Sequence, residues 1–317
     1  MNDKVFCVGG AGFIGSHVVD LLVEEGFNVI VLDNLSTGST ENINKKAAFY
    51  NVDIRDYDSL LEIFEEEQPD YVFHFAAQIN LRDSIKFPVN DCENNIMGSI
   101  NLIDISSRNF VRKFIFSSTG GAIYSAKNDF PWVETHVVEP TSPYGLSKLT
   151  VEKYLEMYRS LRDDKFYSFN YAALRYSNVY GPRQNSEGEA GVVSIFIDKI
   201  NNNEDLVIFG DGYQVRDFVF VEDVAKANLS ALKNDLYGIY NVSTDKGTSV
   251  NEIAEGLIKI SGKESKIVYK DKIPGELYRS VLCSDKIGKI WSFSVGLKEG
   301  LRRTFDSVKD IGGYEDS

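Results

Sequence analysis

Residues 4–15 read KVFCVGGAGFIG, an apolar run from Lys4 to Val8 followed by Gly9, Gly12 and Gly15 at the spacing G-x-x-G-x-x-G. The run has the length of a buried strand, and the stretch after Gly15 has helical periodicity, so the glycines mark a strand-to-helix turn. Glycine lets the backbone turn tightly and approach a pyrophosphate, whose charge the amino end of the following helix meets. The turn predicts a dinucleotide site built on Gly9, Gly12 and Gly15; a tight turn without a ligand is the alternative for the glycines alone.

Outward from this turn, short apolar strands alternate with amphipathic stretches: NVIVLD (28–33), AAFYNVD (47–53), YVFHFAA (71–77) and KFIFSS (113–118). Their apolar runs are continuous, as a parallel sheet covered on both faces requires. Helical spacing appears in SLLEIFEEEQ (59–68), from about 90 to 108, and from Tyr144 to about 162, with Pro143 suited to a helix start. The expected fold is α/β, a doubly wound parallel sheet (Rossmann) with a smaller C-terminal substrate-binding domain.

Beyond Tyr180, GPRQNSEGEAG reads as a loop leaving the sheet domain. FVFVEDVAKANLSALK reads as strand then helix and GIYNVS as another strand, which predicts a return to the sheet before the chain leaves again near Thr244. The expected domains interleave: 1–177 and about 211–243 for the dinucleotide, about 178–210 and 244–317 for the substrate. The tail from Asp310 reads as a frayed end.

Composition narrows the class. The 317 residues exceed what one growing core uses, and 43% hydrophobic with 26% charged residues describes an ordinary globular chain. A formal charge of −13 repels phosphodiester backbones, so no nucleic-acid partner is expected. Cys7, Cys92 and Cys283 are odd in number and widely spaced, which suggests neither a disulfide framework nor a metal site. No stretch approaches the roughly 18 apolar residues of a membrane span, and a cytoplasmic protein is expected.

Asp33 ends the second strand about twenty residues past the glycines, where a carboxylate can accept from both ribose hydroxyls. A 2′-phosphate would meet like charge there, so NAD is preferred to NADP. Asp53, closing the third strand, is a candidate for the adenine amine or a plain turn aspartate. Tyr144 and Lys148 in SPYGLSK fall one helical turn apart on one face. A phenol with a pKa of about 10 that works near neutrality must drop by about 3 units, or about 4 kcal/mol, and a neighbouring ammonium can lower it. Ser117, Ser118 and Thr119 end the KFIFSS strand, where hydroxyls reach the ligand crevice or make a strand-end turn. His17, His74 and His136 do not cluster and are given no role.

GGAGFIG, LDN, FAA (75–77), SST and Tyr144-x-x-x-Lys148, in this order, resemble the extended short-chain dehydrogenase/reductase family. LRYSNVYGPRQ and VRDFVFVEDV are similar to its nucleotide-sugar branch, above all the UDP-glucose 4-epimerases, and the resemblance spans about Val5 to Phe305. It implies a tightly held NAD and epimerisation at carbon 4 of a UDP-hexose through a 4-keto sugar. Tyr144 would exchange the hydroxyl proton, Lys148 would lower its pKa and hold the nicotinamide ribose, and Thr119 would bond the hydroxyl.

By the same resemblance, cofactor contacts carry over to Phe13, Ile14, Asp33, Asn34, Ser36, Asp53, Ile54, Phe75, Ala76, Ala77, Asn95, Ser117 and Tyr176, the last flanking the nicotinamide. Substrate contacts carry over to Ser118, Thr119, Asn178, Val192, Arg216, Glu276, Arg279 and Ser280. Asn178 and Arg216 would hold the diphosphate. The family's arginine before the Pro-Gly turn is replaced by Ile273, for which Arg279 or Lys272 is the substitute; Ser125 and Cys283 also depart from the pattern. A small Ser280 would leave room for an N-acetyl group at carbon 2. A homodimer through the helices near Asn90 and Tyr144 is implied too.

Dehydratases of the superfamily need further acid and base groups, whereas here Gly120, Gly121 and Ala122 follow Thr119 and transfer no proton. A related uronate epimerase, a dehydrogenase that releases its cofactor, and a non-catalytic NAD-binding regulator are the alternatives.

Overall fold

Val5 and Cys7 pack into one core layer and Phe6 and Val8 into another, and all four, on β1 (Lys4–Val8), are fully buried. Successive strand residues face opposite sides, so a strand apolar at every position needs cover on both. The computed structural model describes residues 3–161, 169–186, 191–273 and 277–309. In it, β1 lies within a seven-stranded sheet with β2 (Asn28–Asp33), β3 (Ala48–Asn51), β4 (Tyr71–His74), β5 (Lys113–Thr119), β6 (Asn170–Tyr176) and a late strand, β10 (Gly238–Val242).

The order is β10-β6-β5-β4-β1-β2-β3, and every pairing is parallel. Side chains of α1 (Phe13–Glu24) and α8 (Val221–Lys233) fill one core layer; α2 (Tyr57–Glu67), α5 (Gly98–Arg108) and α6 (Pro143–Leu161) fill the other. Truncating the fully buried Phe6, Phe64 or Phe114 would cost about 3–5 kcal/mol each. Winding reverses between β1 and β4, which opens a crevice at the carboxyl ends of the strands.

Local signals set the boundaries. Asp56 caps α2 by accepting from Ser59 N at 3.2 Å, and Gln68 closes that helix in the left-handed region at φ 47°. After α3 (Leu81–Lys86), α4 (Pro88–Asp91) runs into a π-helical segment, Cys92–Met97, that continues into α5. The helix expected from about 90 to 108 thus exists with a widened turn inside it.

A second layer has its own core, with Phe196, Ile197, Ile253, Leu257 and Phe305 buried together. Its sheet centres on β9 (Val215–Phe220), paired with β7 (Asn178–Tyr180), β11 (Gly247–Ser249) and β13 (Arg279–Ser280). β8 (Leu206–Phe209) and β12 (Ile267–Lys270) pair separately, and α7 (Val192–Asn201), α9 (Val250–Ser261) and α10 (Leu297–Lys309) complete the elements.

Two expectations need correction. Of the two late strands expected in the main sheet, only Gly238–Val242 joins it; the FVFV strand is β9 of the small sheet, and α8, which follows it directly, returns to the large one. The third strand ends at Asn51, so Asp53 lies in the turn beyond it. Asp217, buried on β9, joins the sheets by accepting from Thr244 N at 3.0 Å and Thr244 Oγ1 at 2.8 Å, past β10, and from Ser177 Oγ at 3.3 Å, past β6.

Candidate active site

The glycine turn leaves an anion cradle. Gly9 sits at φ +80°, and a β-carbon there would lie 2.4 Å from Ala76 N; one on Gly15 would lie 2.2 Å from the Gly9 carbonyl. A β-carbon on Gly12 would meet only the Gly9 oxygen, at 3.3 Å, so the far side of this residue is open to a ligand. Gly12 is the N-cap of α1 and provides no side-chain cap, and the first turn of the helix holds no acidic residue. An uncapped amino end with a bare backbone beside it fits a pyrophosphate over Phe13 and Ile14.

Asp33 is buried and already bonded: Oδ2 accepts from Ala11 N at 3.0 Å and Oδ1 from Leu35 N at 2.8 Å. It ties the glycine turn to the end of β2 and keeps lone pairs for ribose hydroxyls. Asn34 donates to Asp53 Oδ2 at 2.9 Å and accepts from the exposed Ser36 N at 3.0 Å. Asp53 is not the open acceptor expected. Arg55 grips both its oxygens, at 2.9 and 2.8 Å, and holds its carboxyl well below the usual range, against the effect of burial. Ile54 is buried under Gly98, where a β-carbon would lie 2.5 Å from it.

After β4, Phe75 N and Ala76 N donate to the Val8 carbonyl at 2.7 and 3.0 Å, holding Phe75, Ala76 and Ala77 against β1. The Asn95 amide grips Gln78, accepting from its N–H and donating to its carbonyl, both at 2.8 Å. Asn95 thus shapes the loop rather than presenting a free amide. His74 is bonded through Nε2 to Ser99 Oγ at 2.8 Å, and burial lowers its pKa to about 3, so it is a neutral core residue.

On α6, Tyr144, Lys148 and Glu152 recur every four residues and share a face. Lys148 is buried and donates from Nζ to the Ser117 carbonyl at 2.9 Å; Nζ lies 6.0 Å from the Tyr144 ring centroid and 4.8 Å from that of Phe116. Burial lowers its pKa from 10.5 to about 8, opposed by the carboxylates of Asp91 and Glu152. A desolvated ammonium fixed beside a phenol favours the phenolate.

Ser118, expected to touch substrate, instead donates to Glu152 Oε1 at 2.6 Å inside the core. Strand alternation sends it to the α6 side, while Ser117 and Thr119 take the other face. Arg175 completes this buried cluster with bonds to Glu152 of 2.9 and 2.6 Å. Glu152 and Arg175 were not singled out in the sequence, although Glu152 lies one further helical turn past Lys148. Tyr176 pairs with Thr119 across the sheet, but its ring is buried and its hydroxyl bonds Asn228 on α8 at 3.0 Å, in the core rather than flanking an open site.

The small sheet brings substrate candidates together. Ser280 on β13 pairs with Arg216 on β9, and Asn178, which begins β7, pairs with Phe218 two residues further along β9. Arg216 Nη1 donates to the Val215 carbonyl at 2.9 Å. Arg279 pairs with Val215, on the opposite face from Arg216 and Ser280, and its guanidinium lies 5.4 Å from the Phe130 ring centroid. It does not join the diphosphate candidates. Val192 opens α7. Glu276 lies outside the described residues, as does the Pro-Gly turn before it.

A β-carbon on Gly120 would meet Leu282 Cδ1 at 2.3 Å, and one on Gly121 would come 4.0 Å from Ser280 Oγ. The glycines after Thr119 therefore admit the segment from Ser280 to Leu282 directly over the end of β5.

A glycine-cradled crevice, a Tyr-Lys pair on α6 and a second sheet closing over the strand ends define an extended short-chain dehydrogenase/reductase. The chain belongs to the NAD dependent epimerase/dehydratase family, which matches residues 5–243. It is 47% identical over 309 residues to a putative UDP-glucose 4-epimerase of Methanocaldococcus jannaschii, covering 96% of this chain and 98% of that one. Among solved structures it resembles the UDP-glucose 4-epimerase of Thermotoga maritima with UDP-glucose, at TM-score 0.91 and 44% identity over 97% of this chain and 99% of that one. It also resembles the Thermus thermophilus UDP-glucose 4-epimerase complex with NAD, at TM-score 0.91 and 40% identity over 96% and 99%.

Proposed function

We propose that this protein is an NAD-dependent UDP-hexose 4-epimerase acting on UDP-glucose and UDP-galactose. The observation that carries the reading is Lys148, buried and locked onto Ser117 beside Tyr144, at the strand end over which Ser280 and Arg216 are folded. NAD would be held by Gly12, Phe13 and Ile14 at the helix start and by Asp33, and would supply the reversible hydride acceptor. Tyr144 takes the proton of the 4-hydroxyl and returns it. Lys148 holds the phenol's charge, and Thr119 bonds the reacting oxygen. The sugar passes through a 4-keto form that turns in the site and is reduced on its other face. Arg216 and Asn178 hold the diphosphate.

Ser280 is small and buried beside Arg216, which supports acceptance of UDP-N-acetylglucosamine as well. The interleaved segments 1–177 with about 211–243, and about 178–210 with 244–317, are the working units for cofactor and sugar, with β9 lent to the second. The exposed apolar residues Val89, Met97, Leu146, Met157 and Leu161, with a shallow cavity of about 390 Å³ along Leu146, Leu149, Tyr154 and Met157, support a homodimer through α6. Among the described residues no helix is long and apolar enough to cross a membrane, and a cytoplasmic enzyme is the location proposed.

Incubating the purified protein with UDP-glucose, UDP-N-acetylglucosamine and UDP-glucuronate without added NAD, then separating products, tests the reading. UDP-galactose is expected; an unchanged UDP-glucose pool would overturn it.

A further inference from the structure

Asp91, the last residue of α4, is fully buried and accepts hydrogen bonds from three neutral side chains. Its Oδ1 takes Asn95 Nδ2 at 2.9 Å and Gln78 Nε2 at 3.2 Å; its Oδ2 takes Ser147 Oγ at 2.6 Å. Gln78 and Asn95 shape the loop after β4 that would border the cofactor, and Ser147 stands on α6 between Tyr144 and Lys148. One carboxylate therefore bonds two walls of the crevice.

A neutral amide could hold the same partners, donating to Ser147 instead of accepting from it, without the cost of burying a charge. The use for the charge is nearby. The groups facing Lys148 are His74 from β4, Asp91 from α4, the Ser117 carbonyl and Phe116 ring from β5, and Tyr144 and Glu152 from its own helix. His74 is neutral, and Glu152 is matched by Arg175 from β6. Asp91, by contrast, takes these bonds from Asn95, Gln78 and Ser147, none of which offsets its charge.

We propose that Asp91 is a positioning residue for the epimerase reaction, setting the loop after β4 against the Tyr144–Lys148 helix and placing a fixed negative charge near the Lys148 ammonium. The inference rests on the reading of Tyr144 and Lys148 given above. Burial draws the Lys148 pKa down to about 8, and Asp91 is the foremost group opposing that draw.

Asp91→Asn keeps the size, lets its one oxygen accept from Asn95 and Gln78 while its N–H donates to Ser147 Oγ, and removes the charge. Its kcat is expected to fall off at a pH lower by about one unit than in the wild type, with KM little changed. Asp91→Ala removes the links as well and is expected to raise the Kd for NAD on the apo chain about 10-fold by calorimetry, with thermal melts checking the fold. Should it not fold, Ser147→Ala takes its place, with kcat about 10-fold lower at unchanged KM. An Asn variant with the wild-type pH profile, or an Ala variant with wild-type NAD affinity, overturns the proposal. A wild type that binds NAD but leaves UDP-glucose unchanged would instead overturn the epimerase reading, and the NAD affinities would still decide the role of Asp91.

Discussion

Ser280 on β13 pairs directly with Arg216 on β9, and the chain runs on from Ser280 to Leu282, which fills the space a side chain on Gly120 would need. The residues proposed to hold the sugar nucleotide and the end of β5 are thus joined by packing between the two sheets, through a glycine pair whose missing side chains leave that room.

Gly120→Ala tests this joint. The added methyl would lie 2.3 Å from Leu282 Cδ1, so β13 must shift outward. A KM for UDP-glucose raised about 10-fold with a smaller fall in kcat is expected, since the sugar wall moves and the Tyr144–Lys148 helix does not. An unchanged KM would show that Leu282 gives way freely.

On the proposed mechanism, Lys148 is expected to set the alkaline limit. Its cation supports the phenolate, so activity should decline as pH rises through about 8. Stability runs the other way. The folded pKa lies below the ordinary 10.5, so the unfolded chain binds more protons between about 8 and 10.5 and this group's contribution to stability rises with pH across that window. Lys148→Met should abolish the alkaline limb together with most of the activity; a kcat profile flat to pH 10 in the wild type would contradict the assignment.

Glu152 should matter for stability more than for chemistry. Glu152→Ala leaves the Arg175 guanidinium buried without its 2.6 and 2.9 Å partners, at a cost of about 3–5 kcal/mol. Urea unfolding should show a lower midpoint at unchanged slope. A loss below about 1 kcal/mol would mean that Arg175 finds water or another acceptor.

Ser280→Tyr should discriminate between sugars. A ring placed beside Arg216 at this buried position would occupy the room left for a group at carbon 2, so turnover of UDP-N-acetylglucosamine should fall about 100-fold while UDP-glucose keeps most of its rate. Equal loss on both substrates would indicate general damage to β13.

Much was legible in the chain because it rests on local rules. The glycine turn, the strand-end acid Asp33, the double-faced strands and the four-residue recurrence of Tyr144 and Lys148 each follow from backbone geometry within a few residues. Ser118 was misjudged because alternation decides its face and only the partner helix shows that Glu152 waits there. Arg279 failed similarly: its register one step from Ser280 turns it to the opposite face. Asp53 was claimed by Arg55, two residues on, a choice between equally short-range partners that spacing does not settle.

The sequence by itself determined the parallel α/β layer, the dinucleotide turn and the Tyr-Lys pair, since periodicity and glycine stereochemistry act along the chain. Tertiary structure alone decided that β9 leaves the large sheet for the small one, that Asp91 bonds both Gln78 and Ser147, and that Ser280 comes to lie by Arg216 over Gly120. Those contacts join residues far apart in the chain, and their geometry is set by how two packed cores meet, a quantity with no local signature.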